Sequence, residues 1–241
     1  MNQLSESGVI CEIKNKKECI KIQALCCCVD SKARNFSQGL KECTGYCSCS
    51  WCRHPGLPIM HKTKKVVKFP MISEKYDLRT ELNALEDIQK HDATGKTSFG
   101  FTTLKLPEIV KLNGFNFISG YVPDSRHCIA LGVIRQFTRY WFSVKCKEYS
   151  IPRESQNKIN EILSSIKAPH KCGRLTRSLK NLKFYKSKEL ENWGLYYSLP
   201  CLSIVPNFEE YLEHWSWFVN AFYLLMQDQC RRKILQKQMN Y

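Results

Sequence analysis

Cys49-Ser-Trp-Cys52 places two thiols three residues apart inside a stretch, residues 39–58, that is rich in Cys, Gly and Pro. Neither a helix nor a strand tolerates that composition, so the stretch is a loop, and what closes it limits how the flanking chain can pack. The pair follows a glycine and is flanked by Cys43, Cys47, His54 and His61. Thiolates and imidazoles in this pattern suit tetrahedral zinc. A redox dithiol would instead stand at a helix start after a strand, and this one lies in a loop. The chain has 14 cysteines, yet its first residues, Met-Asn-Gln-Leu-Ser-Glu-Ser-Gly, lack the apolar core of a signal peptide. The expectation is reduced thiols in the nucleus or cytosol, with Cys26, Cys27 and Cys28 as small core residues of a buried strand.

That strand is residues 20–29, which begin with alternation and become wholly apolar. Asp30-Ser31 then marks a helix start, because both side chains accept hydrogen bonds from free amides. A carboxylate at a strand end has two uses, as a helix cap or as a catalytic acid. Asp124 and His127 stand one helical turn apart and read as a cap followed by a partnered histidine.

Charge narrows the partners. The chain carries 37 Lys+Arg against 22 Asp+Glu, a formal +15, which favours polyanions, nucleic acid before an acidic membrane surface. With 43% hydrophobic and 24% charged residues, a folded core is expected rather than disorder. Two stretches hold no acid at all. From Cys43 through Ser73 the charges are Arg53, Lys62, Lys64, Lys65 and Lys68. Between Glu161 and Glu189, Arg174, Arg177, Lys180, Lys183 and Lys186 recur every third residue, interleaved with Leu175, Leu179, Leu182, Phe184 and Tyr185. Such a strip can neutralise phosphates with aromatic faces beside it, or serve as a solvated face over an apolar underside.

Elsewhere the pattern is mainly helical. Residues 80–93 are weakly helical, and residues 94–123 are punctuated by Gly and Pro. A helix from Asp124 buries Ile129, Ala130, Val133, Ile134, Phe137 and Trp141. Another carries Ile159, Ile162, Leu163 and Ile166, stopping before Pro169. The longest spans Phe208 to Gln238, with Asn207 placed to cap it and Glu210 to reach back. The greasiest stretch, Trp217 to Met226, is too short to span a membrane.

Taken together, Cys28-Val-Asp-Ser-Lys-Ala-Arg34 and Gly45-Tyr-Cys-Ser-Cys-Ser-Trp-Cys-Arg-His-Pro-Gly56 resemble the CACTA (En/Spm-type) DDE transposases of animals. The likeness continues through Tyr76-Asp-Leu-Arg-Thr80, Gly120 to Gln136, Arg174 to Leu179, Trp193 to Leu202 and Glu213-His-Trp215, in the family's order. It implies a mixed α/β, mostly helical chain: part of an RNase H-like core at 1–42, a Cys-rich knuckle and basic linker at 43–75, and a zinc-bearing, mainly helical insertion region at 76–241. It also implies that Asp30 is the second acid of the metal-dependent strand-cleavage site. Asp124 and His127 then support structure rather than bind the ion. DNA is the implied partner, with an intact transposase or a second copy of the chain as further partners and no small-molecule substrate.

Two family features have no counterpart in this sequence. Only 29 residues precede Asp30, too few for the first acid and its three-strand meander at roughly five or six residues per strand. The paired histidines and the last catalytic glutamate have no match downstream. In-line phosphoryl transfer uses two Mg²⁺ ions held by fixed carboxylates. A chain with one such acid is therefore expected not to cut DNA alone, and to act, if at all, as a nucleic-acid-binding or transposase-interacting module.

Overall fold

The computed structural model describes residues 2–61, 63–70, 76–103, 107–143, 147–167 and 177–227. The chain forms two units, Met1–Asp124 and Ser125–Tyr241. The class is mixed α/β and mostly helical, and the sheets among the described residues are two-stranded. No helix among the described residues is long and apolar enough to cross a membrane.

The first unit opens with a short helix, α1 (Asn2–Glu6), and a hairpin of β1 (Val9–Ile13) and β2 (Lys16–Ile20). Lys14 and Asn15 between them both take positive φ, 50° and 63°. A two-residue turn of this hand matches the twist of the strands it joins. After residues 21–26, which form no regular element, come β3 (Cys27–Val29) and α2 (Ser31–Gln38). A second hairpin, β4 (Leu57–His61) with β5 (Lys64–Lys68), leaves the knuckle and points its strands into solvent. Then α3 (Glu81–Thr94) is fixed at both ends. Thr80 and Asn83 form a reciprocal capping box, and Gly95 closes the helix in the left-handed conformation. Finally β6 (Tyr121–Pro123) pairs in parallel with β3. Leu40, Ala84, Ile88, Phe101, Phe117 and Tyr121 make the core between these elements.

Among the described residues the regular elements of the second unit are all helices. A π-helical segment, Arg126–Ile134, runs into α4 (Arg135–Ser143), followed by α5 (Arg153–Ser165). A 3₁₀ segment, Leu179–Phe184, leads to α6 (Ser187–Asn192), a π-helical turn at Trp193–Tyr197, α7 (Ser198–Leu202) and α8 (Glu209–Leu225). Ile129, Val133, Phe137 and Trp141 repeat every four residues, slower than the α-helical 3.6, and the wider π turns absorb that drift. Gly194 lets the two π segments approach closely: a Cβ there would sit 2.5 Å from Ile134 Cδ1, and the Ile134 side chain would have to shift. Two buried indoles find polar partners in matching relays. Trp193 Nε1 donates to Thr138 Oγ1 (2.9 Å), whose hydroxyl donates to the Ile134 carbonyl. Trp215 Nε1 donates to Ser198 Oγ (2.8 Å), which donates to the Gly194 carbonyl. Both tie the core to carbonyls of the π segments, where such groups are less well satisfied.

Several sequence expectations change here. Residues 20–29 are not one buried strand: Ile20 ends β2, and β3 is three residues long and half-exposed. Among the described residues its one ladder partner is β6, and no strand covers its other edge. Cys26 and Cys28 are accordingly exposed, while Cys201 is buried. The helix expected from Asp124 does begin directly after it, at Ser125, but its Arg126–Ile134 part is π-helical rather than α-helical. Asn207 does not cap α8; it takes φ 56°, and Phe208 occupies the cap position without a side-chain bond. The helix ends at Leu225, and the expected continuation from 228 to Gln238 lies outside the described residues.

Candidate functional site

Asp30 follows β3 and caps α2: its Oδ1 accepts from the Ala33 amide at 2.8 Å. The parallel register pairs Val29 with Pro123, so the next residues on the two strands, Asp30 and Asp124, leave the sheet side by side at its carboxyl end. They are 94 positions apart, and the sequence alone offers no reason to associate them. The register brings the backbones of two acidic residues to one strand end, with the Asp30 carboxylate turned to the amide of Ala33. Among the described residues, no group of three or more His, Cys, Asp or Glu side chains is placed to hold a metal ion. His127 lies in the π-helical segment.

From α2 the chain enters the knuckle, and its side chains say how that loop is held. Arg79 is the central clamp, 5% exposed. Its Nε donates to the Cys49 carbonyl (2.8 Å), and its Nη2 donates to the carbonyls of Cys47 (2.8 Å) and Phe99 (2.6 Å). Burial pulls this guanidinium below its ordinary pKa range, while Asp87 and then Cys49 and Cys47 push the other way. Gly100 passes so close to the Cys47 carbonyl that no side chain fits, and its φ of +91° suits glycine alone. On one flank Arg53 pairs with Asp87 at 2.6 Å and lies 4.2 Å from the Phe99 ring centroid. On another, Arg34 Nε donates to Ser50 Oγ (2.9 Å) and stacks over Trp51 at 4.1 Å. Ser50 in turn donates to Asn35 Oδ1, and the Asn35 amide reaches the carbonyls of Lys41 and Ser48. Three arginines thus hold a loop that the sequence assigned to zinc. Each lies over an aromatic ring, Trp51, Phe99 or Phe101, where a planar cation can stack, but these rings are distant in sequence and gave no local signal.

The zinc expectation can be tested on the donors themselves. Cys49 and Cys52 sulfurs lie 3.5 Å apart, close to the spacing two thiolates take on one tetrahedral ion with bonds of about 2.3 Å. That is half a site. His54 is not the other half, because both ring nitrogens are committed. Nδ1 accepts from the Gly56 amide (2.8 Å), so Nε2 carries the proton and faces the Pro70 carbonyl at 3.2 Å. Its ring packs between Phe69 and Tyr76. His61 ends the exposed strand β4, and Cys43 and Cys47 do not complete a group with the pair. Burial, with some help from Cys49, pushes the Cys52 thiol above its usual pKa, against the His54 backbone amide that draws it down. The described geometry therefore brings two sulfurs together and does not supply four ligands.

The basic candidates fall into two groups. On the β4–β5 hairpin Lys64 and Lys68 share one face and Lys65 takes the other, all exposed; Lys62 lies outside the described residues. In the second unit Arg174 also lies outside them. Arg177 is occupied: its Nε reaches Glu189 Oε1 at 2.7 Å, and its Nη2 donates to the Phe184 carbonyl. Lys180, Lys183 and Lys186 are exposed, while Leu179, Leu182 and Tyr185 face inward. The interval of three is thereby explained. A 3₁₀ helix has three residues per turn, so every third side chain falls on one face.

Comparison with known proteins finds no matching family model, no matching curated protein and no matching solved structure.

Proposed function

We propose that this chain is a nucleic-acid-binding protein derived from a DDE DNA transposase, and that it does not cleave DNA by itself. The arrangement of β3, Asp30 and α2 supports reading the first unit as part of an RNase H-like core, since a strand delivers its carboxylate straight to a helix start. The observation that carries the loss of cleavage is the makeup of that strand end. Two acids leave adjacent strands, one of them already accepting a helix amide, and no third ligand joins them among the described residues. Two carboxylates can hold one divalent ion. Bridging and spacing two ions about 4 Å apart, with both the attacking and the leaving oxygen served, needs more.

The binding half of the reading rests on the charge of +15 and on its placement: exposed lysines on the β4–β5 hairpin and along Lys180–Lys186. Two-stranded ribbons are narrow enough to enter a major groove. DNA in the nucleus is the partner this reading assigns, and zinc plays no part in it.

Two measurements test the proposal. Purified protein incubated with terminal-inverted-repeat DNA and Mg²⁺ or Mn²⁺ is expected to leave it intact, as is an Asp30→Ala control. Nicking by the unmodified protein that disappears in the variant would refute the loss of cleavage. Affinity for duplex DNA is expected to fall with salt, at about −0.9 in log–log slope per phosphate contact. An affinity indifferent to salt removes the binding half.

A further inference from the structure

Along the outer face of the second unit, Lys180, Lys183 and Lys186 form a row whose spacing is set by the backbone. The 3₁₀ segment Leu179–Phe184, kinked at Asn181 (φ −98°, ψ 15°), buries Leu179 and Leu182 and exposes Lys180 and Lys183; just beyond it, in extended backbone, Tyr185 is buried and Lys186 exposed. The acids nearby are already matched: Glu189 by Arg177, and Glu191 by Lys188. Among the described residues none of the three lysines is ion-paired.

Beside the row stands an aromatic ring that the core does not use. Phe184 is 59% exposed, and Lys183 Nζ lies 4.6 Å from its centroid. Lys180 also borders an open hollow of about 720 Å³ lined by Asn157, Asn160, Glu161, Ser164 and Ser178. Glu161 there repels phosphate and leaves the lysine row as the backbone track, while Asn160, Ser164 and Ser178 spend their side chains on hydrogen bonds within the fold. An exposed phenyl face can stack only on a base that is itself unstacked. Bases inside a duplex are covered on both faces.

We infer that the surface Lys180–Lys186 with Phe184 binds single-stranded nucleic acid, its phosphates on the lysine row and a base on the Phe184 ring. This rests on the nucleic-acid reading above and names the strandedness of what this surface takes. Stacking explains a preference without sequence specificity, because every base has a π face.

The test is fluorescence anisotropy of the full chain with labelled oligothymidylate, oligouridylate and a hairpin duplex of equal length. Both single strands are expected to bind more tightly than the duplex, and the two arms show whether deoxyribose or ribose is preferred. Phe184→Ala should weaken single-strand binding roughly tenfold and leave duplex binding unchanged. Lys180→Gln with Lys183→Gln should reduce the single-strand salt slope by about 0.7 per lost contact. Because Phe184 and both lysines are exposed, the variants keep the core, and circular dichroism checks that they do. Equal affinity for single strand and duplex, or a silent Phe184→Ala, overturns this inference while nucleic-acid binding stands. Failure to bind any of the three probes overturns the broader reading as well.

Discussion

Around Cys49–Cys52 three guanidiniums, from Arg34, Arg53 and Arg79, turn inward onto carbonyls, a hydroxyl, a carboxylate and aromatic rings. Along Lys180–Lys186 three ammoniums turn outward into water, while the arginine beside them is bound to Glu189. Both regions are short of acids in sequence, and their formal charge looks alike. Their physics differs. A guanidinium offers five donors in a rigid plane and is weakly hydrated, so it can be buried as a structural clamp. An ammonium is compact and strongly hydrated, and it stays at the surface where a polyanion can reach it. Net charge therefore overstates the cationic surface of this chain, and at these sites the choice of Arg or Lys is the better guide.

The largest expected effect comes from removing the central clamp. Arg79→Met keeps the volume but deprives the carbonyls of Cys47, Cys49 and Phe99 of their shared donor. Several buried acceptors left unpaired together should cost the first unit about 3 kcal/mol or more. Hydrogen exchange of the amides from 45 to 54 is expected to speed up accordingly. An Arg79→Met protein with unchanged exchange would show that the cysteine loop is held by something other than this arginine.

Second comes the arginine of the lysine strip. Glu189 is almost fully buried, at 4% side-chain exposure, and it serves both Arg177 and the Lys186 amide. Arg177 itself is half-exposed, so solvent screens the pair and the loss on Arg177→Ala should be clearly smaller than that on Arg79→Met. Urea unfolding followed by tryptophan fluorescence measures it, since Trp193 and Trp215 lie in that core. A loss as large as that of Arg79→Met would erase the distinction between the two regions.

A third comparison sits at the candidate catalytic position. Asp30→Ala removes the side-chain bond to the Ala33 amide and should cost about 1 kcal/mol. Asp30→Asn or Asp30→Ser retains a capping oxygen and should recover most of it. A carboxylate kept for an ion rather than for the helix would give the opposite order. Removing its charge would then not cost stability, and Asn and Ala would behave alike in thermal melts.

What could be read from the sequence follows the range of the forces involved. Helices whose apolar stripe repeats locally, such as α5 with Ile159 and Leu163, stand where periodicity placed them. The β1–β2 hairpin was missed because its turn, Lys14-Asn15, lacks the glycine that usually announces positive φ. The strand at 20–29 failed for a nonlocal reason: hydrophobicity alone does not say how many partners a strand will have, and β3 found one. At the site, Asp30 as a cap was legible from its neighbour Ser31. Its alignment with Asp124 was not, since a parallel pairing across 94 positions leaves no local trace. The same holds for Arg79, whose partners lie at Cys47, Cys49 and Phe99.

The smallest expected effect completes the comparison. Lys180→Gln with Lys183→Gln removes two charges that touch no acid among the described residues, so stability should change by no more than about 0.5 kcal/mol. If anything, reduced repulsion within the row should raise it slightly. Measured beside Arg79→Met, the pair gives a double dissociation: one substitution alters folding, and the other leaves folding alone while lowering affinity for polyanions. Destabilisation by the lysine pair comparable to that of Arg177→Ala would mean that the row is part of the fold. Its outward placement would then be no sign of a binding surface.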